Sequence, residues 1–287
     1  MKVLVIGCNG QLGWELQRTC PDHIEMACVD FPELDICHRS RVHEYILSLS
    51  PDWVINAAAY TAVDKAEQEP EKAYDVNCCG AMHIAEAVRD IGARLVHIST
   101  DFVFDGKQGK PYTPDDIPSP ESVYGKTKLD GEKAVREVLK DTTLIIRTSW
   151  LYSAHGNNFV KTMLRLMEER DSLSVVDDQV GTPTWAHGLA QVVWGSIEKE
   201  LTGLFHWSDA GVASWYDFAL AIQEEGLAAE LLSRKALVNP IPTSGYPTPA
   251  KRPSFSVMDK KIICRVLSIK SVGWRLRLKS MFNEDIL

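Results

Sequence analysis

Tyr124 and Lys128 lie four residues apart in the run Tyr124-Gly125-Lys126-Thr127-Lys128, a spacing that puts both side chains on one face of a helix. An ammonium beside a phenol favours the phenolate and lowers the tyrosine from its reference pKa of about 10, which suits proton exchange with a carbonyl or an alcohol. Tyrosine and lysine at this spacing are common by chance. The pair gains meaning from Ser99-Thr100-Asp101, which ends an apolar stretch 24 residues before Tyr124 when counted from Thr100. A hydroxyl there can hydrogen-bond a substrate oxygen while Tyr124 supplies the proton.

A second constellation stands near the start of the chain. Gly7-Cys8-Asn9-Gly10-Gln11-Leu12-Gly13 joins an apolar run to an amphipathic one, and at such a junction a dinucleotide pyrophosphate rests on helical N–H groups. Gly7, Gly10 and Gly13 permit a tight turn, close approach of backbone to phosphate, and close packing of helix on strand. The spacing is GxxGxxG, one residue wider than the commoner GxGxxG, so the position directly after a first strand carries more weight than the pattern. Asp30 ends the next strand-like run, 17 residues after Gly13. A carboxylate there accepts hydrogen bonds from an adenosine ribose and repels a 2′-phosphate, which tilts the choice toward NADH. Arg39 and Arg41 nearby keep NADPH open, and a surface acid capping a turn is the plain alternative for Asp30. Ala57-Ala58-Ala59 either lets a cofactor approach the sheet or accepts a close helix contact.

The elements that must position these residues follow from periodicity. Short, β-branched, apolar runs at 2–6, 24–29, 52–57, 93–98 and 142–147 alternate with amphipathic stretches at about 11–20, 39–49, 70–90 and 122–140. That rhythm predicts an α/β fold, a doubly wound parallel sheet with helices on both faces and the ligand outside the carboxyl ends of the strands. After residue 147 it loosens, with helices expected near 157–170 and 186–199 and strands at 172–176 and around Leu204-Phe205-His206. Five prolines between Asn239 and Pro253 predict an irregular, extended segment there. The C-terminal part reads as a smaller lobe wrapped onto the sheet: 1–147 plus about 182–205 forms the dinucleotide domain, and about 148–181 plus 206–287 the substrate lobe.

Composition narrows the classes. With 31 Lys plus Arg against 39 Asp plus Glu, the 287 residues carry a net charge of −8 and no basic block, which argues against nucleic-acid binding. The longest apolar runs fall far short of the roughly 18 residues of a membrane helix. Met1 to Gly7 has no cleavage-site pattern and reads as a first strand instead of a signal peptide. Seven cysteines, without a CxxC pair, read as reduced packing residues of a cytoplasmic protein.

In order along the chain, the glycine loop with Gln11 and Leu12, the run Val54 to Glu67 (VINAAAYTAVDKAE), Ser99 to Gly106 (STDFVFDG), Tyr124 to Lys128, Arg147-Thr148-Ser149-Trp150, Gly156-Asn157-Asn158-Phe159 and Asp178 to Thr184 (DQVGTPT) together resemble the extended short-chain dehydrogenase/reductases, and among them the dTDP-4-dehydrorhamnose reductases. The resemblance covers most of the chain. It implies a Rossmann-type fold and reduction of the 4-keto group of dTDP-4-dehydro-L-rhamnose by NADPH or NADH, in the making of activated rhamnose for surface polysaccharides such as O-antigen. It further implies that Thr100, Tyr124 and Lys128 form the catalytic trio, that Lys128 also holds the nicotinamide ribose, and that Gly10, Gln11, Leu12, Asp30, Asp35, Ile36 and the loop Ala59, Thr61, Ala62, Val63 and Asp64 line the cofactor, with Gly7, Asn9, Gly13, Ala57 and Ala58 beside them. Thr100, Asp101 and Trp150 are implied to meet the sugar nucleotide.

Other residues carry two readings each. Trp150 meets the substrate or fills the seam between lobes, Asn157 contacts the substrate or joins Asn158 as an N-cap pair, and Arg252 forks onto the substrate diphosphate or lies on a surface loop. His97 on an apolar strand reads as a core histidine. A dehydratase of this fold needs an Asp-Glu pair after the threonine, whereas here Phe102 follows Thr100-Asp101, so elimination is disfavoured. A non-catalytic regulatory subunit is the reading from another class, and the intact Thr100, Tyr124 and Lys128 argue against it. Some members of the resembling family are homodimers bridged by Mg²⁺ through glutamates. Glu198, Glu200, Glu224, Glu225 and Glu284 do not single themselves out as ligands, so monomer or homodimer and any Mg²⁺ stay open.

Overall fold

The structure, a computed structural model, describes residues 1–284; the last three residues of the expected substrate lobe lie outside it. Strand β1 (Lys2–Ile6) runs through the glycine loop into α1 (Gln11–Arg18), then come β2 (Glu25–Val29), α2 (Arg39–Leu49) and β3 (Trp53–Asn56). Helices α3 (Val63–Ala66), α4 (Pro70–Tyr74) and α5 (Ala81–Asp90) lead to β4 (Arg94–Thr100), and α6 (Val123–Leu139) to β5 (Thr143–Thr148). The remainder is β6 (Leu151–Tyr152), α7 (Phe159–Glu169), β7 (Ser172–Val176), β8 (Val180–Gly181), β9 (Thr184–Trp185), α8 (Ala186–Glu198), β10 (Gly203–His206), β11 (Ala213–Ser214), α9 (Trp215–Ala228), β12 (Leu237–Ile241), α10 (Lys261–Leu267) and α11 (Trp274–Asn283).

The central sheet is six-stranded and parallel, in the order β10-β5-β4-β3-β1-β2. Its strands are apolar on both sides because both faces are covered. Val3 and Val5 of β1 point with Ile55, Val96 and Ile146 into a cluster closed by Leu12 and Leu16 of α1 and by Leu189 and Val193 of α8. The intervening Leu4 and Ile6 point the other way, with Val54 and Leu95, against Val42 and Ile46 of α2, Ile84 and Val88 of α5 and Val135 of α6. A third cluster lies off the sheet, where α7, α9 and α11 pack with the parallel pair β7 and β12 around Met163, Phe218, Ile222 and Leu278. Ile263 and Leu267 of α10 return to the first sheet-side cluster, so segment 206–284 contributes to both that cluster and the one off the sheet.

Two elements differ from expectation. The stretch 70–90 is two α-helices separated by a π-helical turn at Asp75–Gly80. Asn77 in that turn accepts from the Tyr60 amide at 2.8 Å and donates to the Tyr60 carbonyl and the Thr127 hydroxyl, bonds that an unbroken helix would misdirect. The proline-rich segment also begins in regular structure. Pro240 sits inside β12, opposite Val175, because a two-stranded ribbon consists of edges and an edge tolerates a missing N–H. All seven cysteines are free.

Candidate active site

β1 connects to β2 on one side and the chain then crosses to β3 on the other, so the strand order reverses beside the glycine loop, where open α/β sheets bind ligands. A cavity of about 1050 Å³ opens there, and its wall runs without a break from the glycine loop to Tyr124 and on to Trp150.

The first half of the cavity fits a dinucleotide. Gly7 has φ +86, and a Cβ on it would stand 2.5 Å from the Ala58 amide nitrogen, so only glycine lets the loop lie against the strand end. No side chain caps α1, which leaves the N–H groups of its first turn free to face an anion. Both Asp30 oxygens already accept backbone amides, from Asn9 and from Phe31, at 2.7 Å each. Asp30 therefore braces the loop as well as lining the cavity. Of the residues expected here, Gly7, Gly10, Gln11, Leu12, Asp30, Asp35, Ile36, Ala57, Ala58, Ala59, Thr61 and Val63 line the cavity. Asn9, Gly13, Ala62 and Asp64 stand outside the lining: Gly13 packs on the Gly7 carbonyl, and Asp64 is occupied as described below. Arg39 is drawn away to Glu86 at 2.7 Å.

The residues expected to transfer the proton meet at the far end. Thr100 ends β4 and caps a 3₁₀ turn, its hydroxyl accepting from the Phe102 amide at 3.2 Å and donating to Asp101 Oδ1 at 3.1 Å. Ser122 caps α6 by accepting from the Gly125 amide at 3.1 Å. A Cβ on Gly125 would come within 2.2 Å of the Phe102 carbonyl oxygen, so glycine allows α6 to start flush against the turn after Thr100. That contact delivers Tyr124 to Thr100. Lys128, one turn on and 1% exposed, donates from Nζ to the Ile98 carbonyl at 2.7 Å.

Burial dominates the electrostatics of this trio. It pushes the Tyr124 phenol up to about 12, with the Asp101 charge adding and the Thr100 hydroxyl opposing. The expected lowering by Lys128 is absent, because the ammonium is turned to the Ile98 carbonyl and burial outweighs it. Tyr124 is thus firmly protonated at neutral pH, the state a proton donor needs. Burial likewise lowers Lys128 to about 8, with Glu132 holding it up. Glu132 is itself clamped by the buried Arg147 guanidinium, at 2.9 and 2.7 Å, and by the Ser99 hydroxyl at 2.5 Å. Asp101, buried behind Thr100, is raised to about 6 by the same loss of solvent.

The residues expected to meet the substrate, Asp101, Trp150, Asn157 and Arg252, all line the cavity. Of the asparagine pair, Asn158 caps α7, accepting from the Lys161 amide at 3.1 Å, and both residues reach the cavity wall. Arg252 forks onto Asp64, at 3.0 and 2.6 Å, which also holds the Asp64 carboxyl below its usual range. His97 is a core residue, bonded through Nδ1 to Asn56 at 3.2 Å, and burial keeps it neutral. Sequence reasoning missed Lys72 and Trp215, which also line the cavity, and Asn158, expected as an N-cap, lines it as well. Trp215 opens α9 with no spacing signal; only the Ser214–Asp217 capping box next to it marks the site as a helix start.

The residues weighed for Mg²⁺ do not assemble a donor set. Glu198 faces His23, Glu200 faces Arg94, Glu224 and Glu225 face Arg275, and Glu284 faces Arg18. Among the described residues no group of three or more His, Cys, Asp or Glu could hold a metal ion, and none of the helices is long and apolar enough to cross a membrane.

Residues 1–286 match the family model described as RmlD substrate binding domain. The chain is 42% identical to the dTDP-4-dehydrorhamnose reductase of Aggregatibacter actinomycetemcomitans, over 98% of each chain. Among solved structures it resembles the dTDP-4-dehydrorhamnose reductase of Clostridium acetobutylicum with a TM-score of 0.93 and 41% identity, over 99% of both chains. The enzyme of the same name from Bacillus anthracis, solved in complex with NADP, gives 0.93 at 38% identity, again over 99% of both. With the reversal point, the glycine cradle and the Thr100, Tyr124 and Lys128 grouping in place, these likenesses show that the chain belongs to the dTDP-4-dehydrorhamnose reductase family of Rossmann-fold oxidoreductases.

Proposed function

We propose that this protein reduces the 4-keto group of dTDP-4-dehydro-L-rhamnose to the alcohol, giving dTDP-L-rhamnose, with NADPH as the favoured cofactor and NADH accepted. The observation that carries the reading is the placement of Thr100, Tyr124 and Lys128 on one wall of a cavity continuous with the uncapped start of α1. A bound nicotinamide dinucleotide supplies the hydride. Thr100 orients the substrate carbonyl with its hydroxyl, Tyr124 gives its phenolic proton to the developing alkoxide, and Lys128 stabilises the phenolate left behind. The first-turn N–H groups of α1 and the Ala57 to Ala59 strand end hold the pyrophosphate side of the cofactor. Arg252 reaches the substrate diphosphate by exchanging its Asp64 contact. Glu132, Arg147 and Ser99 hold the α6 face in register with β4.

The NADP complex of the Bacillus anthracis relative supports the phosphorylated cofactor. Asp30, spent on two backbone amides, presents less repulsion to a 2′-phosphate than a free carboxylate would. Segments 1–147 and about 182–205 would carry the cofactor, and 148–181 with most of 206–287 the sugar nucleotide. Work in the cytoplasm on a precursor of surface polysaccharide fits this substrate, and a relative 41% identical is named a spore coat polysaccharide biosynthesis protein of Bacillus subtilis. The test follows reduced-nicotinamide absorbance with the dTDP-4-keto-6-deoxysugar and either NADPH or NADH. Substrate-dependent oxidation, faster with NADPH, is expected; no oxidation of either would overturn the proposal.

A further inference from the structure

Trp150 has φ +46, in the left-handed region that a bulky side chain adopts only when its surroundings hold it there. What holds it is visible. Its carbonyl accepts from the Thr184 amide at 3.1 Å, and its indole packs against Gly181, where a Cβ would approach Cε2 to 2.6 Å. The indole is also stacked flat on Trp215, centroids 3.6 Å apart and planes at 4°. Trp215 is in turn fixed on two sides. Phe159 packs on it at 4.7 Å, and its Nε1–H donates to Gln179 Oε1 at 3.2 Å. The Gln179 amide then donates to the Thr243 hydroxyl at 3.0 Å, and Thr243 is tied to Asp178. Both indoles nevertheless remain half-buried and line the cavity.

We infer that Trp215 is a positioning residue for the sugar nucleotide, clamping the strained Trp150 indole as a rigid apolar wall for the deoxyhexose. A pyranose ring with a methyl in place of a hydroxymethyl presents a C–H-rich face that an indole accepts, and an indole already locked in place loses no further freedom on binding. The clamp is built from α9 and the 178–181 segment, both outside the cofactor half. Its removal therefore weakens the sugar nucleotide without touching the dinucleotide.

This inference rests on the proposed sugar-nucleotide substrate, and calorimetry separates the two. Wild-type protein, Trp215→Ala and Trp215→Phe are each titrated with dTDP-L-rhamnose and, separately, with NADPH. The alanine variant is expected to bind the dTDP-sugar on the order of tenfold more weakly, as loss of one stacked aromatic partner implies. Its NADPH affinity should stay at the wild-type value, with phenylalanine recovering part of the loss. In turnover the same split should appear as a raised KM for the keto-sugar at a little-changed KM for NADPH. Equal dTDP-sugar binding by all three proteins overturns the role of Trp215 alone. A wild-type protein that binds NADPH but no dTDP-sugar overturns the substrate reading and this inference together. Parallel loss of both ligands in Trp215→Phe, whose ring still fills the site, shows a scaffold residue instead and also overturns it.

Discussion

Lys128→Met should make the ligand-free protein more stable while abolishing its activity. Lys128 is charged at pH 7 and fully buried, and burial lowers it from an ordinary 10.5 to about 8. At 1.36 kcal/mol per pKa unit, the charged form costs the folded state about 3 kcal/mol relative to a side chain that does not ionise. Methionine has a similar reach and no charge to desolvate. The change forfeits the charge-assisted bond to the Ile98 carbonyl, worth about 2 kcal/mol, and leaves a net gain of about 1 kcal/mol. In a chain of this size that raises Tm by about 3 °C. The pH dependence has a definite sign. Between pH 8 and 10.5 the unfolded chain binds more protons at this site than the folded one, so wild-type stability climbs through that window and the advantage of the variant fades. Urea unfolding of both proteins at pH 7 and at pH 10, with activity at pH 7, tests the whole chain of reasoning. A variant less stable than wild type at pH 7, or an advantage that does not shrink by pH 10, refutes it.

Tyr124→Phe keeps the ring against Phe102 and removes only the phenolic hydroxyl, so kcat should fall by about 10²–10⁴-fold with NADPH affinity retained in calorimetry; near-wild-type turnover would remove Tyr124 from its role. Gly125→Ala forces a methyl to within 2.2 Å of the Phe102 carbonyl oxygen. It should lower kcat and cost about 1–3 kcal/mol in urea unfolding, and a silent substitution would mean that α6 need not sit flush on the turn. Asp209, buried with one oxygen on the Trp185 amide at 2.9 Å, is pushed up to about 7 by burial. The folded state holds its proton between pH 4 and 7 where the unfolded state has lost it, so the Asp209 contribution to stability is lost as pH rises through that interval. The stability of Asp209→Asn relative to wild type should therefore grow from pH 4 to pH 7 and level off above it, as read from urea midpoints; a difference independent of pH refutes the assignment.

The sheet and its two helical layers were legible because they obey local rules. Alternate residues of β1 face opposite clusters, and a strand buried on both sides must be apolar throughout, which leaves a short β-branched run that sequence displays openly. The glycine loop was legible for the same reason, since Gly7 answers a backbone constraint visible in its own neighbourhood. What escaped depends on partners distant in the chain. Arg252 and Asp64 are 188 residues apart, so neither reveals that the other occupies it. Pro240 argued against a strand until β7 gave it an edge to lie on. The π turn at Asp75–Gly80 carries Asn77, which bonds Tyr60 and Thr127 at once, contacts set by two other elements. The direction of the Tyr124 shift was misread because helical spacing reports which residues are neighbours but not how far burial exceeds their mutual effect.

The net charge of −8 poses the remaining physical question, since a dinucleotide and a dTDP-sugar are both anions. The cavity does not reverse that balance: its lining includes Asp30, Asp35, Asp75 and Asp101 against Lys72, Lys128 and Arg252. Of these cations Lys128 is turned to a carbonyl and Arg252 is neutralised by Asp64. Attraction at long range therefore cannot be what fills the site. In the proposed function recognition comes from fixed donors at short range: the uncapped N–H groups of α1 for the pyrophosphate, and, as proposed, the Arg252 guanidinium, here held by Asp64, for the diphosphate. Such a site discriminates by geometry. On the proposed reading, an anion whose charge cannot reach both the start of α1 and the Arg252 loop gains nothing from the acidic surface around it, so a small phosphate is expected to bind more weakly than a dTDP-sugar.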